Sequence, residues 1–240
     1  MKIQLLTLAL AFTFSACQQQ SKKTDESTNE TSNENSGDSM SLFDGKSLDG
    51  WRGDSRIWSV EDGCIVGRTT PENVIEKNTF LIYEKPFSDF ELTFQYKIIG
   101  GNSGVQYRAK VMDEAEFVVG GYQADMEAGI NHSGILYEEK GRGILAKRGQ
   151  QVAINESGEK EVIEFANSEE LQAKINQDQW NSYRVVAKGE HLQHFINENK
   201  TIDVIDKEPG KRASSGIIAL QVHAGPDMVV RYKDMVLKSL

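Results

Sequence analysis

Three short segments each place several polar side chains on one side of an extended chain. If residues 216–223 form a strand, Ala219, Gln221 and His223 share one face, and Ile218, Leu220 and Val222 share the other. Residues 102–108 alternate in the same way, with Gln106 and Arg108 set against Val105 and Tyr107, and Asn102 opens the run. In residues 121–126, Gln123 and Asp125 oppose Tyr122, Ala124 and Met126. Amides, a guanidinium, a carboxylate and an imidazole supply the paired donors and acceptors that sugar hydroxyls demand, and tyrosine rings offer faces for stacking on a sugar. A half-exposed sheet also turns polar residues outward, but its common choices are Lys, Glu and Thr rather than Gln with His or Gln with Asp.

Other constellations carry less. The glycines at 100, 101 and 104, and at 141 and 143, lack the Gly-Lys-Ser/Thr ending of a phosphate cradle and open no helix, so they are predicted turns. His191 and His194 would share a face of a helix, but on a strand they point apart, which disfavours a joint metal site. Glu138 and Glu139 are adjacent and diverge on a strand for the same reason. Cys64 sits in an apolar run and reads as a small core residue.

The elements that would position these residues are mostly strands. Residues 91–98 alternate polar and apolar without an error, as a strand with one buried face does. Three hairpins are expected: one around Asp62-Gly63, one joining 183–187 to 192–196, and one joining 216–223 to 228–236. Only residues 168–174 have helix-like content. Many strands, many turns and no repeat of fixed period predict a single all-β domain, an antiparallel sandwich or jelly roll, over residues 41–240. The formal charge of −9, with no basic stripe, argues against nucleic acid as a partner.

Ahead of that domain, Met1-Lys2, an apolar run from Ile3 to Phe14 and the small pair Ser15-Ala16 lead to Cys17. This resembles a bacterial lipoprotein signal peptide over residues 1–17 ending in a lipobox, with Phe14 where Leu is usual. Cys17 is the expected lipidated residue, and the lipid is the only expected membrane contact. The implied location is the cell envelope, on its periplasmic or outer surface. Residues 18–40 have no aliphatic or aromatic side chain before Met40 and are expected to be a polar tether. No disulfide framework is expected from Cys17 and Cys64.

Several motifs occur in a telling order: residues 42–51 (LFDGKSLDGW), the 58–67 hairpin, Phe90-Glu91-Leu92, and Gly101-Asn102-Ser103-Gly104 followed by Tyr107-Arg108. Residues 121–125 (GYQAD), Trp180-Asn181-Ser182-Tyr183, His194-Phe195-Ile196-Asn197 and 216–223 (GIIALQVH) complete the series. Together they resemble the 3-keto-disaccharide hydrolase domain family, linked with 3-keto-glucoside 1,2-lyase and 3-keto-2-hydroxy-glucal hydratase activities. The resemblance implies a concanavalin-A-like jelly-roll sandwich of two antiparallel sheets. One departure is Asn197-Glu198-Asn199, where the family often has Asn-Gly.

The implied chemistry starts from a ketone at C3, which acidifies the C2 proton. A base can then form an enolate that expels the oxygen on C1, so the opposed carboxylate pair of ordinary glycosidases is not required. On this resemblance His223 is the expected general base or metal ligand, with His194 next and Glu138 in reserve alongside Glu139. Arg108 is expected to hold an oxyanion or hydroxyl, and Gln123, Asp125, Gln221, Asn102 and Tyr122 to bind the sugar. A divalent cation on the C3 and C2 oxygens would stabilise the enolate, although no ligand set for one is spelled out. The alternatives are a non-catalytic carbohydrate-binding module and, third, a conventional glycoside hydrolase, for which Asp125-Met126-Glu127 is only half a motif.

Overall fold

A computed structural model describes residues 38–240. The expected signal peptide, Cys17 and nearly all of the tether lie outside the described residues. The chain begins β1 (Ser39–Ser41), β2 (Trp51–Arg52), β3 (Trp58–Glu61), β4 (Cys64–Thr69), β5 (Thr79–Phe87) and β6 (Phe90–Ile99). It continues through β7 (Asn102–Asp113), β8 (Val118–Glu127), β9 (Leu136–Glu139), β10 (Gly143–Ala146), β11 (Gln150–Ile154) and β12 (Lys160–Glu164). After the helix α1 (Ser168–Gln172) come β13 (Asn181–Lys188), β14 (His191–Ile196), β15 (Asn199–Asp206), β16 (Gly216–Val222) and β17 (Met228–Ser239).

These strands form two sheets. The larger follows the order β12-β11-β15-β14-β13-β6-β17-β4-β3, with β1 added to β17. The smaller follows β10-β9-β8-β7-β16-β5-β2. All pairings are antiparallel except β11 with β15, so the expected purely antiparallel arrangement holds apart from that one pair. The domain also starts slightly earlier than expected. β1 pairs with β17, Ser39 opposite Lys238, so the expected tether boundary at residue 40 falls inside a strand.

Alternation explains why these segments are strands. Phe90, Leu92, Phe94, Tyr96 and Ile98 of β6 are buried, and the residues between them are partly exposed. They pack against Val105 and Tyr107 of β7, Tyr122 and Ala124 of β8, and Leu220 and Val222 of β16. Each fully buried Leu or Phe contributes roughly 1.5–3 kcal/mol, so a face of this size defines the sandwich. The β3–β4 hairpin turns on Asp62 and Gly63, both at positive φ (51° and 73°), as a tight two-residue turn requires. The β13–β14 hairpin is formed as expected. The third expected hairpin is not. β16 pairs with β5 and β7 in the smaller sheet, and β17 pairs with β6 and β4 in the larger, so the segment after β16 crosses the sandwich. α1 is a short helix, capped by the Asn167 side chain accepting from the Glu169 and Glu170 amides at 2.8 and 3.0 Å.

The outward face of the smaller sheet is divided. At one end Phe80, Ile82, Val119 and Ala219 form a separate apolar cluster, packed against Phe117 from the β7–β8 connection. The Phe80 amide donates to the Phe117 carbonyl at 3.0 Å, fixing that connection over β5. The rest of the face is polar and forms a cleft.

Candidate active site

The cleft has a volume of about 490 Å³. Its floor follows from strand register. Asn102, Gly104 and Gln106 of β7 stand opposite Glu127, Asp125 and Gln123 of β8. Gln123 stands opposite Tyr137 of β9, Gly121 opposite Glu139, and Gln106 opposite Ala219 of β16, two residues from Gln221. Because paired residues share a face, all of these side chains point outward together.

At the centre the Gln123 carbonyl oxygen accepts from the side-chain amides of both Gln106 and Gln221, the latter at 3.2 Å. Gln221 also approaches the Glu139 carboxylate at 3.4 Å. The Gln123 side chain lies flat over Gly104, where any Cβ would stand within 2.5 Å of its Cγ, so the glycine makes room for this amide cluster. Gln106 and Gln221 each keep a buried carbonyl oxygen with no partner. Buried acceptors are normally satisfied, and Gln221 lines the cleft, so its orphan oxygen suits a ligand hydroxyl.

Asp125 is the buried carboxyl of the floor. Asn102 donates to it at 2.9 Å, but burial dominates and pushes its pKa up to about 7. Glu127 behaves differently. Burial alone would raise it, but hydrogen bonds from the His132 ring and from the Asn131 and His132 amides outweigh that and hold it below the usual range. His132 and His223 both line the cleft. The His223 Nδ1 lies 2.5 Å from the Ala224 carbonyl, and the Asn78 side chain accepts from the Ala224 amide at 3.0 Å, fixing the segment that carries it.

Of the residues expected from sequence, Asn102, Gln123, Asp125, Gln221 and His223 meet in this cleft. Arg108 does not. It sits at a break in the β7 register with φ 47°, and this bulge takes its side chain out of alternation. Its guanidinium donates to the carbonyls of Ser88, Gly189 and Ala213 at 2.8, 2.7 and 3.2 Å and pairs with Asp89 at 2.8 Å. It is a buried pin between loops. Tyr122 faces the sandwich interior, its hydroxyl donating to Asp206 at 2.5 Å.

Glu138 points the same way as Tyr122, into an ion-paired group in which Arg142 meets Glu138 and Asp206 at 2.6 Å each and Glu208 at 3.0 Å. Its neighbour Glu139 is the one in the cleft. His194 is fully buried between the hydroxyls of Tyr107 and Tyr183, at 2.9 and 3.3 Å. Burial lowers its pKa to about 3, so it stays neutral and structural. His132, Tyr137 and Asn78 were not expected, and Glu127 was named only in the half motif of the glycoside hydrolase alternative. His132 lies in the β8–β9 connection, where strand alternation gives no signal.

The cleft therefore differs in charge from the expectation. Among the described residues its lining holds three carboxyls, two imidazoles and several amides, and neither Lys nor Arg. Among the described residues no three His, Cys, Asp or Glu side chains are grouped to hold a metal ion.

The described residues thus form a two-sheet jelly-roll sandwich with a polar cleft on the outward face of one sheet. The chain belongs to the 3-keto-alpha-glucoside-1,2-lyase-like domain family, which it matches over residues 38–238. A stretch of 79 residues is 39% identical to a protein of Bacteroides thetaiotaomicron named 3-keto-disaccharide hydrolase, covering 30% of this chain and 27% of that one. Among solved structures, a glycosyl hydrolase candidate of Parabacteroides distasonis superposes with TM-score 0.54 at 21% identity, covering 85% of this chain and 94% of the other. The carbohydrate-binding module CBM66 of Bacillus subtilis gives TM-score 0.52 at 14% identity, covering 79% and 96%. The two structural likenesses show the shared fold.

Proposed function

We propose that this domain cleaves the glycosidic bond of 3-keto-glycosides by removing the C2 proton, eliminating the C1 oxygen and adding water, for net hydrolysis. The observation that carries this reading is Asp125, a buried carboxyl that lines the cleft beside Asn102, Gln123 and Gln221 and whose pKa burial pushes up to about 7. A group poised there can exchange protons at neutral pH, which a module that only binds does not need. His223 serves as base for the C2 proton. Protonated Asp125 serves as the acid for the departing oxygen. Gln123, Gln221 and Asn102 bind hydroxyls, and the orphan carbonyl oxygen of Gln221 accepts a hydrogen bond from one of them. The absence of Lys and Arg from the lining suits a neutral sugar rather than a phosphate or uronate, which would meet carboxylates unpaired.

The test is to incubate the domain with a 3-keto-disaccharide and with its unoxidised parent, and to follow both by mass spectrometry. Turnover of the keto form alone is expected, because only its C2 proton is acidic. Binding of either sugar without turnover supports the carbohydrate-binding module instead. We further propose anchorage through lipid on Cys17, so that Cys17→Ala leaves the membrane fraction.

A further inference from the structure

Glu127 and His132 form a unit that this scheme does not yet use. The Glu127 carboxylate accepts from the backbone amides of Asn131 and His132, the latter at 2.7 Å, and its second oxygen lies 2.9 Å from His132 Nδ1. Glu127 is mostly buried and its carboxyl is held below the usual range, so it is ionised and draws the ring proton to Nδ1. Among the described residues the ring's Nε2 has no hydrogen-bond partner, and His132 lines the cleft with nearly half its side chain exposed.

The supporting loop is fixed. Ser133 exchanges hydrogen bonds with the Glu127 backbone, and the buried Arg148 guanidinium donates to the carbonyls of Ser133 and Ile130 at 2.7 and 2.9 Å. An imidazole with one nitrogen on a carboxylate and the other open to a cleft is arranged to accept a proton, because the carboxylate stabilises the resulting imidazolium.

We infer that His132, oriented by Glu127, is the base that activates water for the addition step. This rests on the reading above. Elimination leaves a C1=C2 double bond conjugated with the C3 ketone, a proton on His223 and an ionised Asp125. In the addition, water forms a bond to C1 and loses a proton to His132 Nε2. The π electrons move onto C2 and the C3 oxygen, and the enolate takes the proton held by His223 at C2. The imidazolium of His132 then returns its proton to Asp125, directly or through solvent, and the site is reset. Two bases separate the C2 proton from the water proton.

The experiment measures, by mass spectrometry, the ratio of unsaturated to hydrated sugar released from a 3-keto-glycoside. His132→Gln and Glu127→Gln are expected to raise that ratio at least tenfold, and Glu127→Asp to restore part of it. Gln at 127 still accepts from the loop amides but presents an NH2 to His132, so the loop stays while the tautomer changes. Nitrogen NMR of the ring, expected to show Nδ1–H in the wild type and its loss in Glu127→Gln, reports the orientation separately. Ratios within threefold of wild type in both variants, or equal loss of both steps, overturn the assignment. A wild type that leaves every 3-keto-glycoside intact overturns the function reading itself.

Discussion

Burial raises the Asp125 carboxyl to about 7, whereas an unfolded chain carries an ordinary carboxyl near 3.8. The folded state therefore binds this proton more tightly. The stability it confers is full below pH 3.8 and is lost as pH rises toward 7, on the order of a few kcal/mol for a shift of this size. His194 works in the opposite direction. Its folded pKa of about 3 lies below the ordinary 6.5, so its contribution is full above 6.5 and drains away as the pH falls toward 3. Between about pH 4 and 6.5 the two oppose each other. Asp125→Asn is expected to melt higher than wild type at pH 8, to match it near pH 4, and to lose turnover. A gain that is the same at both values would contradict the burial argument. His194→Gln should melt lower at pH 7 but lose less on acidification, as thermal scans from pH 7 to 4 would show.

At the scale of elements, the hairpin between β14 and β15 turns on Asn197 and Glu198, both left-handed at φ 47° and 63°. The family's common Asn-Gly would adopt this turn without strain, whereas a side chain at the second position costs about 1–2 kcal/mol. Glu198→Gly is therefore expected to stabilise the domain by about 1 kcal/mol in urea titration, its distant partner Arg184 (3.8 Å) adding little at such an exposed site. A loss of stability would show that the charge matters more than the turn.

The same elements show where the sequence could be read. Gln221, Gln123 and Asp125 were legible as one polar face because β8 and β16 alternate cleanly around them. Arg108 was not, because a bulge reverses facing without changing the local pattern of residues. Glu138 and Glu139 could be told to diverge, but which one faces the cleft depends on β9 pairing Gly121 with Glu139, a register that four residues cannot specify. The assignment of β16 and β17 to different sheets was hidden for a related reason: their turn-like connection suits a hairpin and a crossing equally well.

Across the molecule, the cleft is supported from beneath by the core. Ser103, on the inner side of β7, donates to the Gln221 carbonyl at 2.5 Å and meets the Tyr232 hydroxyl at 2.6 Å, coupling the floor strands to β17 of the opposite sheet. That same β17 also holds β1, so the first and last strands described lie side by side, Ser39 facing Lys238. In a domain cut to residues 38–240, a short flexible linker could therefore join Asp38 to Leu240, and the chain could be opened elsewhere without altering either sheet. Opening between Ser157 and Gly158, in the exposed turn that leads to the edge strand β12, should give a circular permutant that folds with its cleft intact. Opening at Gly189 should not, because its carbonyl and amide are bound by Arg108 and Asp89. Comparing the two permutants by melting cooperativity would show that this fold is closed like a ring, with the pinned loops rather than the chain ends as its points of no return.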